Sequence, residues 1–189
     1  MLSAITLDLF AVLFGGAVAL LPMFADQVLG TGAEGLGLLR AAPAFGAVIM
    51  ALTLAHRPPV THTGKKLLAA VAGFGVCMIL FALSTNFYLS LALLALSGML
   101  DSVSVIIRST IMQVITPDEM RGRVSAVNTI FIGSSNEIGA FESGFAARLL
   151  GLIPSVIAGG AMTLMVVAST WKLAPSLRKL ELKNLHSTG

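Results

Sequence analysis

The stretch "NEIGAFESG", residues 136–144, sets Asn136, Glu137 and Glu142 in a run that is otherwise apolar or small. A charged side chain at the centre of a membrane helix costs about 2.5–3.5 kcal/mol by insertion scales, so such residues gather where they face a bundle interior or a water-filled cavity. The chemistry open to them is proton exchange, because the neutral and ionised forms of a carboxyl differ greatly in cost at low dielectric. A hydrogen-bonded structural carboxyl is the alternative use of the same residues. Glu137 and Glu142 are five positions apart, about 140° around a helix at 100° per residue. They cannot share one narrow stripe, so one is expected to face a cavity and the other a neighbouring helix. A helix starting near Val124 places Glu137 near mid-depth.

Three further groups belong to the same inventory. Asp101 and Arg108 stand seven residues apart in another apolar run, on one face by count but about 10 Å apart along the axis, too far for a direct pair. Asp8 lies about one turn into the first apolar run. In "TPDEMRGR", residues 116–123, Pro117 suits a helix start, and Asp118 and Glu119 suit its positive end. Arg121 and Arg123 are then available to carboxylates at other helix ends. Glu137, Glu142, Asp101 and Asn136 are the candidate proton or substrate contacts. Arg108, Asp118, Glu119, Arg121, Arg123 and Asp8 are the candidates for a cytoplasmic gate. The bland reading of the loop is a solvated basic segment that only sets topology.

These residues need elements to hold them, and composition says what kind. Of 189 residues, 56% are hydrophobic and 11% charged, against about 25% charged in soluble domains. The mean hydropathy is +0.92. Six runs approach the roughly 20 residues a bilayer crossing requires: about 4–29, 37–55, 67–84, 87–112, 124–150 and 154–171. The expected fold is all-α, a polytopic six-helix transmembrane bundle over 1–172 with a cytoplasmic tail over 173–189. No Lys or Arg precedes Arg40, so the basic start of a signal peptide is missing. Arg57, Lys65, Lys66, Arg121, Arg123, Lys172, Arg178, Lys179 and Lys183 fall on one side, and only Arg40 and Arg148 on the other. That asymmetry puts both termini in the cytoplasm. Glycines such as Gly75, Gly98, Gly133, Gly144 and Gly160 are expected to allow close helix packing. Pro22 and Pro43, inside spans, free carbonyls that neighbours must satisfy.

Other chemistries find little support. Cys77 is the single cysteine, and His56, His62 and His186 are scattered between one loop and the tail. No metal-ligand spacing, HExxH, GxSxG or paired intramembrane aspartate motif occurs. The expectation is a non-enzyme with no cofactor, whose partners are the lipid bilayer and a small-molecule substrate rather than nucleic acid.

Four stretches carry a family resemblance: "LDLFAVLFGGAVALLP" at 7–22, "GLGLLRAAPAFGA" at 35–47, "RSTIMQVITPDEMRGRVSAVN" at 108–128 and "NEIGAFESG" at 136–144. The chain resembles the C-terminal half of a major facilitator superfamily transporter, in the branch of bacterial enterobactin exporters and multidrug efflux proteins. The resemblance implies a bacterial inner-membrane location, alternating access, and proton-driven antiport of a siderophore or drug-like solute. The loop "HRPPVTHTGKK" stands where the superfamily has a Gly-Asp-Arg-Gly-Arg-type loop, and keeps only Arg57, Gly64 and the lysine pair. Six spans correspond to helices seven to twelve of a twelve-helix architecture whose transport site lies between halves. The chain is therefore expected to work with an N-terminal half or a second copy. The alternative is a truncated, non-transporting membrane protein or scaffold.

Overall fold

The computed structural model describes residues 16–56 and 63–173, and over them the chain is entirely helical. A 3₁₀ turn, Gly16–Leu20, leads into α1, Leu21–Gln27, with Pro22 in its first turn, where a missing N–H costs nothing. Then follow α2 (Ala33–His56), α3 (Thr63–Leu83) and α4 (Phe87–Ile115). A second 3₁₀ turn (Asp118–Met120) introduces α5 (Arg121–Leu150), and α6 (Leu152–Leu173) closes the described chain. Local signals set these ends. The Asn86 side chain caps α4 by accepting from the Tyr88 and Leu89 amides at 3.0 and 3.2 Å. Gly151, at φ +93°, makes the one-residue turn from α5 to α6, a backbone region that penalises any Cβ.

Among the described residues, α2, α3, α4 and α6 are long and apolar enough to cross a membrane. The helix expected over 124–150 exists and is longer, but α5 is not in that set: Arg121, Arg123, Glu137, Glu142 and Arg148 all lie on it, with several serines and asparagines. The run expected over 4–29 is described only from Gly16 and bends through the 3₁₀ turn. Residues 4–15, the loop at 57–62 and the tail from 174 lie outside the described residues, and with them Asp8, Arg57, His62 and the tail lysines.

Helix α4 is the hub. It packs along α2 and α3; α3 in turn packs on α6, and α5 rests against α6 and the first 3₁₀ turn. The α2–α4 crossing brings backbone against backbone. A Cβ on Gly46 would strike the Ala95 carbonyl, and one on Gly98 would strike the Pro43 carbonyl. Ser102 Oγ donates to the Ala47 carbonyl across the same seam at 3.3 Å. Two buried clusters flank it. One gathers Leu20, Leu21, Phe24, Leu39, Phe81, Leu94 and Val156, with the Phe24 and Phe81 rings 4.8 Å apart. The other joins Leu67, Leu68, Val71, Ile107, Ile111 and Val167 from α3, α4 and α6. Helix α5 adds only Ala147 to the first cluster and nothing to the second.

Candidate functional site

A cavity of about 520 Å³ opens where α2, α4 and α5 face one another. Its polar residues are Arg40 from α2, Ser97 and Asp101 from α4, and Asn136 and Glu137 from α5. Its apolar floor includes Val18, Pro43, Phe74 and Met78. Asp101 has fourteen residues of α4 on either side, and Glu137 has sixteen residues of α5 before it and thirteen after. The two carboxylates therefore stand at mid-length of their helices.

Glu137 and Glu142 differ in their surroundings. Glu137 is exposed to the cavity, whereas Glu142 is half-buried and lines no part of it. Its Oε2 is buried without a hydrogen-bond partner among the described residues. Asp101 and Arg108, on one helix, also part company. Asp101 is open to the cavity, while Arg108 is only 7% exposed and is held in an interaction of its own.

A second cavity of about 400 Å³ separates the end of α4 from the start of α5, with Ser109, Gln113, Thr116, Arg121, Ser125 and Asn128 among its lining. Arg121 pairs with Asp118 at 2.9 Å. That partner is three residues back in the same turn, not a carboxylate at another helix end. Both side chains are well exposed, and such pairs contribute about 0–1 kcal/mol. Glu119 and Arg123 are exposed outside this cavity. Of the gate candidates, Arg121 lines this second cavity.

Arg40 is the site residue that sequence reasoning missed. The sequence counts it only as a charge on one side of the membrane, yet it sits seven residues into α2 and lines the central cavity with both carboxylates. Its signal was present in "GLLRAAPAF": a lone cation inside an apolar run, one turn before Pro43. Among the described residues no group of three or more His, Cys, Asp and Glu is placed to hold a metal ion.

Comparison with known proteins adds the family. The model of the family described as "Transmembrane secretion effector", within the major facilitator superfamily, matches residues 2–188. The chain is similar to the enterobactin exporter EntS of Shigella boydii serotype 18 and to that of Escherichia coli O1:K1 / APEC. Each is 31% identical over 147 residues, which is 78% of this chain and 35% of the relative. The EntS of Shigella flexneri is 30% identical over 149 residues, 79% of this chain and 36% of that protein. The chain thus spans about a third of the length of these curated relatives, and no solved structure matches it. With a family model covering all but its first and last residues, this multi-pass membrane chain belongs to the transmembrane secretion effectors of the major facilitator superfamily.

Proposed function

We propose that this bundle forms one wall of a proton-coupled efflux transporter of the bacterial inner membrane, exchanging protons for a siderophore or drug-like solute. The observation that carries the reading is the cavity with Asp101, Asn136 and Glu137 at mid-length of α4 and α5. Transporter sites of this architecture lie near the bilayer midplane at the interface between repeats. A carboxylate there is by default a candidate to answer a solute or a proton. Solute and proton competing for Asp101 and Glu137 would give antiport, since whichever binds displaces the other.

In this reading α5 is a fifth span that brings Asn136 and Glu137 to the cavity, and the 4–29 run is the first. Both termini are cytoplasmic, by the excess of basic residues on that side. The outward apolar residues Phe45, Val48 and Leu52 of α2 and Leu80 and Leu83 of α3 meet lipid. The second wall of the cavity comes from an N-terminal half or a second copy. Arg121 with Asp118, together with Arg108, Glu119, Arg123 and Asp8, forms the cytoplasmic gate. The relatives are named for enterobactin; for this chain the corresponding proposal is a solute of siderophore-like or drug-like size.

The test uses everted membrane vesicles from cells expressing the protein from its own locus, with a deletion strain as control. An imposed pH gradient should drive uptake of a fluorescent amphiphile, and collapsing the gradient with an ionophore should stop it. Uptake that is the same in the deletion strain, or that persists without the gradient, contradicts the reading and favours a non-transporting scaffold.

A further inference from the structure

Proton exchange employs the carboxylates but leaves Arg40 without a task. Arg40, Asp101 and Glu137 line one cavity from three different helices, and among the described residues Arg40 forms no ion pair with either carboxylate. Charges of both signs thus share the cavity without neutralising each other. Arg40 is exposed in this bundle, and a solute filling the cavity would take its charge out of bulk water, which is costly unless an opposite charge answers it. A permanently charged guanidinium has no protonation step with which to escape that cost. Its planar fork matches a carboxylate or another planar acidic group in a bidentate way. The carboxylates match an ammonium, and Val18, Phe74 and Met78 give the space between them an apolar surface.

We propose that Arg40 is a specificity-determining residue and that the exported solute is a zwitterionic amphiphile. Its acidic group meets Arg40, its protonated amine meets Asp101 and Glu137, and its apolar body lies over Val18 and Phe74. The inference rests on the proton-coupled efflux reading and fixes the substrate class of that same cavity. The amine is the end that competes with protons, which gives exchange in opposite directions. A purely acidic solute would favour protonation of the neighbouring carboxylates and travel with protons instead. Arg40 therefore adds affinity and selectivity at the acidic end and leaves the exchange to Asp101 and Glu137.

Three fluorescent solutes built on one aromatic body separate the possibilities: one with amine and carboxylate, one with the amine alone, one with the carboxylate alone. Uptake into everted vesicles from cells expressing the protein from its own locus is measured against concentration, normalised to protein in the membrane. Wild type should take up the zwitterion at the lowest KM. Arg40→Gln should lower the ratio of zwitterion to amine transport about tenfold or more, the scale of a lost charge-assisted bond, through KM rather than kcat. Arg40→Lys, which keeps the charge and loses the fork, should lower the ratio less. An unchanged ratio in either variant, or equal loss of all three solutes, overturns the assignment of Arg40. Pure-acid transport exceeding the other two in wild type overturns the zwitterion. Failure of every solute to move in wild type under an imposed gradient refutes the efflux reading itself, and the inference with it.

Discussion

The α2–α4 pair and the α5 flank carry the same cavity and are built in opposite ways. Along α2–α4, glycines at 46 and 98 let carbonyls of the partner helix occupy the space of a side chain, and Ser102 bonds across the seam. Along α5, Gly122, Gly133 and Gly144 face open space, and two cavities lie between α5 and its neighbours. Packing to this closeness makes a pair that shifts as one body, whereas an element with few buried contacts opens at low free energy. Arg40 and Asp101 stand on this closely packed pair, the frame, and Asn136, Glu137 and Arg121 on α5, the flank, which adds fewer buried contacts among the described residues. A site split in this way can change its separation without unpacking a core, which is what alternating access asks of a half-bundle.

The comparison is broken most severely at the seam. Gly98→Leu should push α2 off α4 at a cost of about 3 kcal/mol or more, because the obstruction is the Pro43 carbonyl and not a flexible side chain. The amount of protein in the membrane and its Tm in mild detergent should both fall sharply. Gly133→Leu on α5 should leave both near wild type, within about 0.5 kcal/mol, as at other open positions. Equal losses in the two variants would remove the distinction between frame and flank.

Labelling sharpens which end of the flank meets the cytoplasm. In a Cys77→Ser background, Gly32→Cys, in the α1–α2 turn, should react with an impermeant thiol reagent in intact spheroplasts. Lys65→Cys, exposed at the start of α3, should react only after permeabilisation. The reverse pattern would invert the topology and place the cavity between α4 and α5 outside.

The smallest effect is expected at the exposed pair. Arg121→Gln should shift Tm by no more than about 2 °C, as befits a surface pair of this kind. The rate of pH-driven export should change by more than that stability does, because the residue lines the cavity at the flank's start. A Tm loss like that of Gly98→Leu would make the pair structural and end its role as a gate.

The helices were legible because hydropathy sets spans almost regardless of partners: the runs at 37–55, 67–84, 87–112 and 154–171 all reappear as helices, each a few residues longer. The polar residues of "NEIGAFESG" stood out in the sequence because their run is otherwise apolar or small; Asn136 and Glu137 line a cavity and Glu142 does not. Partners were not. Glycine counts raised Gly98 and Gly133 equally, yet only Gly98 meets a backbone, and Gly46, its counterpart across the seam, carried no signal of its own. Arg40 was read as a charge counted for topology, because a sum of basic residues by side discards depth. Arg121 was read toward other helices, but the three-residue spacing to Asp118 offered a nearer partner.

The central claim is that the cavity between frame and flank exchanges protons through Glu137. It is tested most directly by export rate against an imposed pH gradient in Glu137→Gln and Glu137→Asp, normalised to protein in the membrane. Gln keeps shape and hydrogen bonding but removes the exchangeable proton, so gradient-driven export should fall at least about a hundredfold, the usual scale of a lost proton-transfer group. Asp should keep part of the rate. Wild-type rates in Glu137→Gln, with Asp no better than Gln, would contradict the account and leave Glu137 a structural, hydrogen-bonded residue.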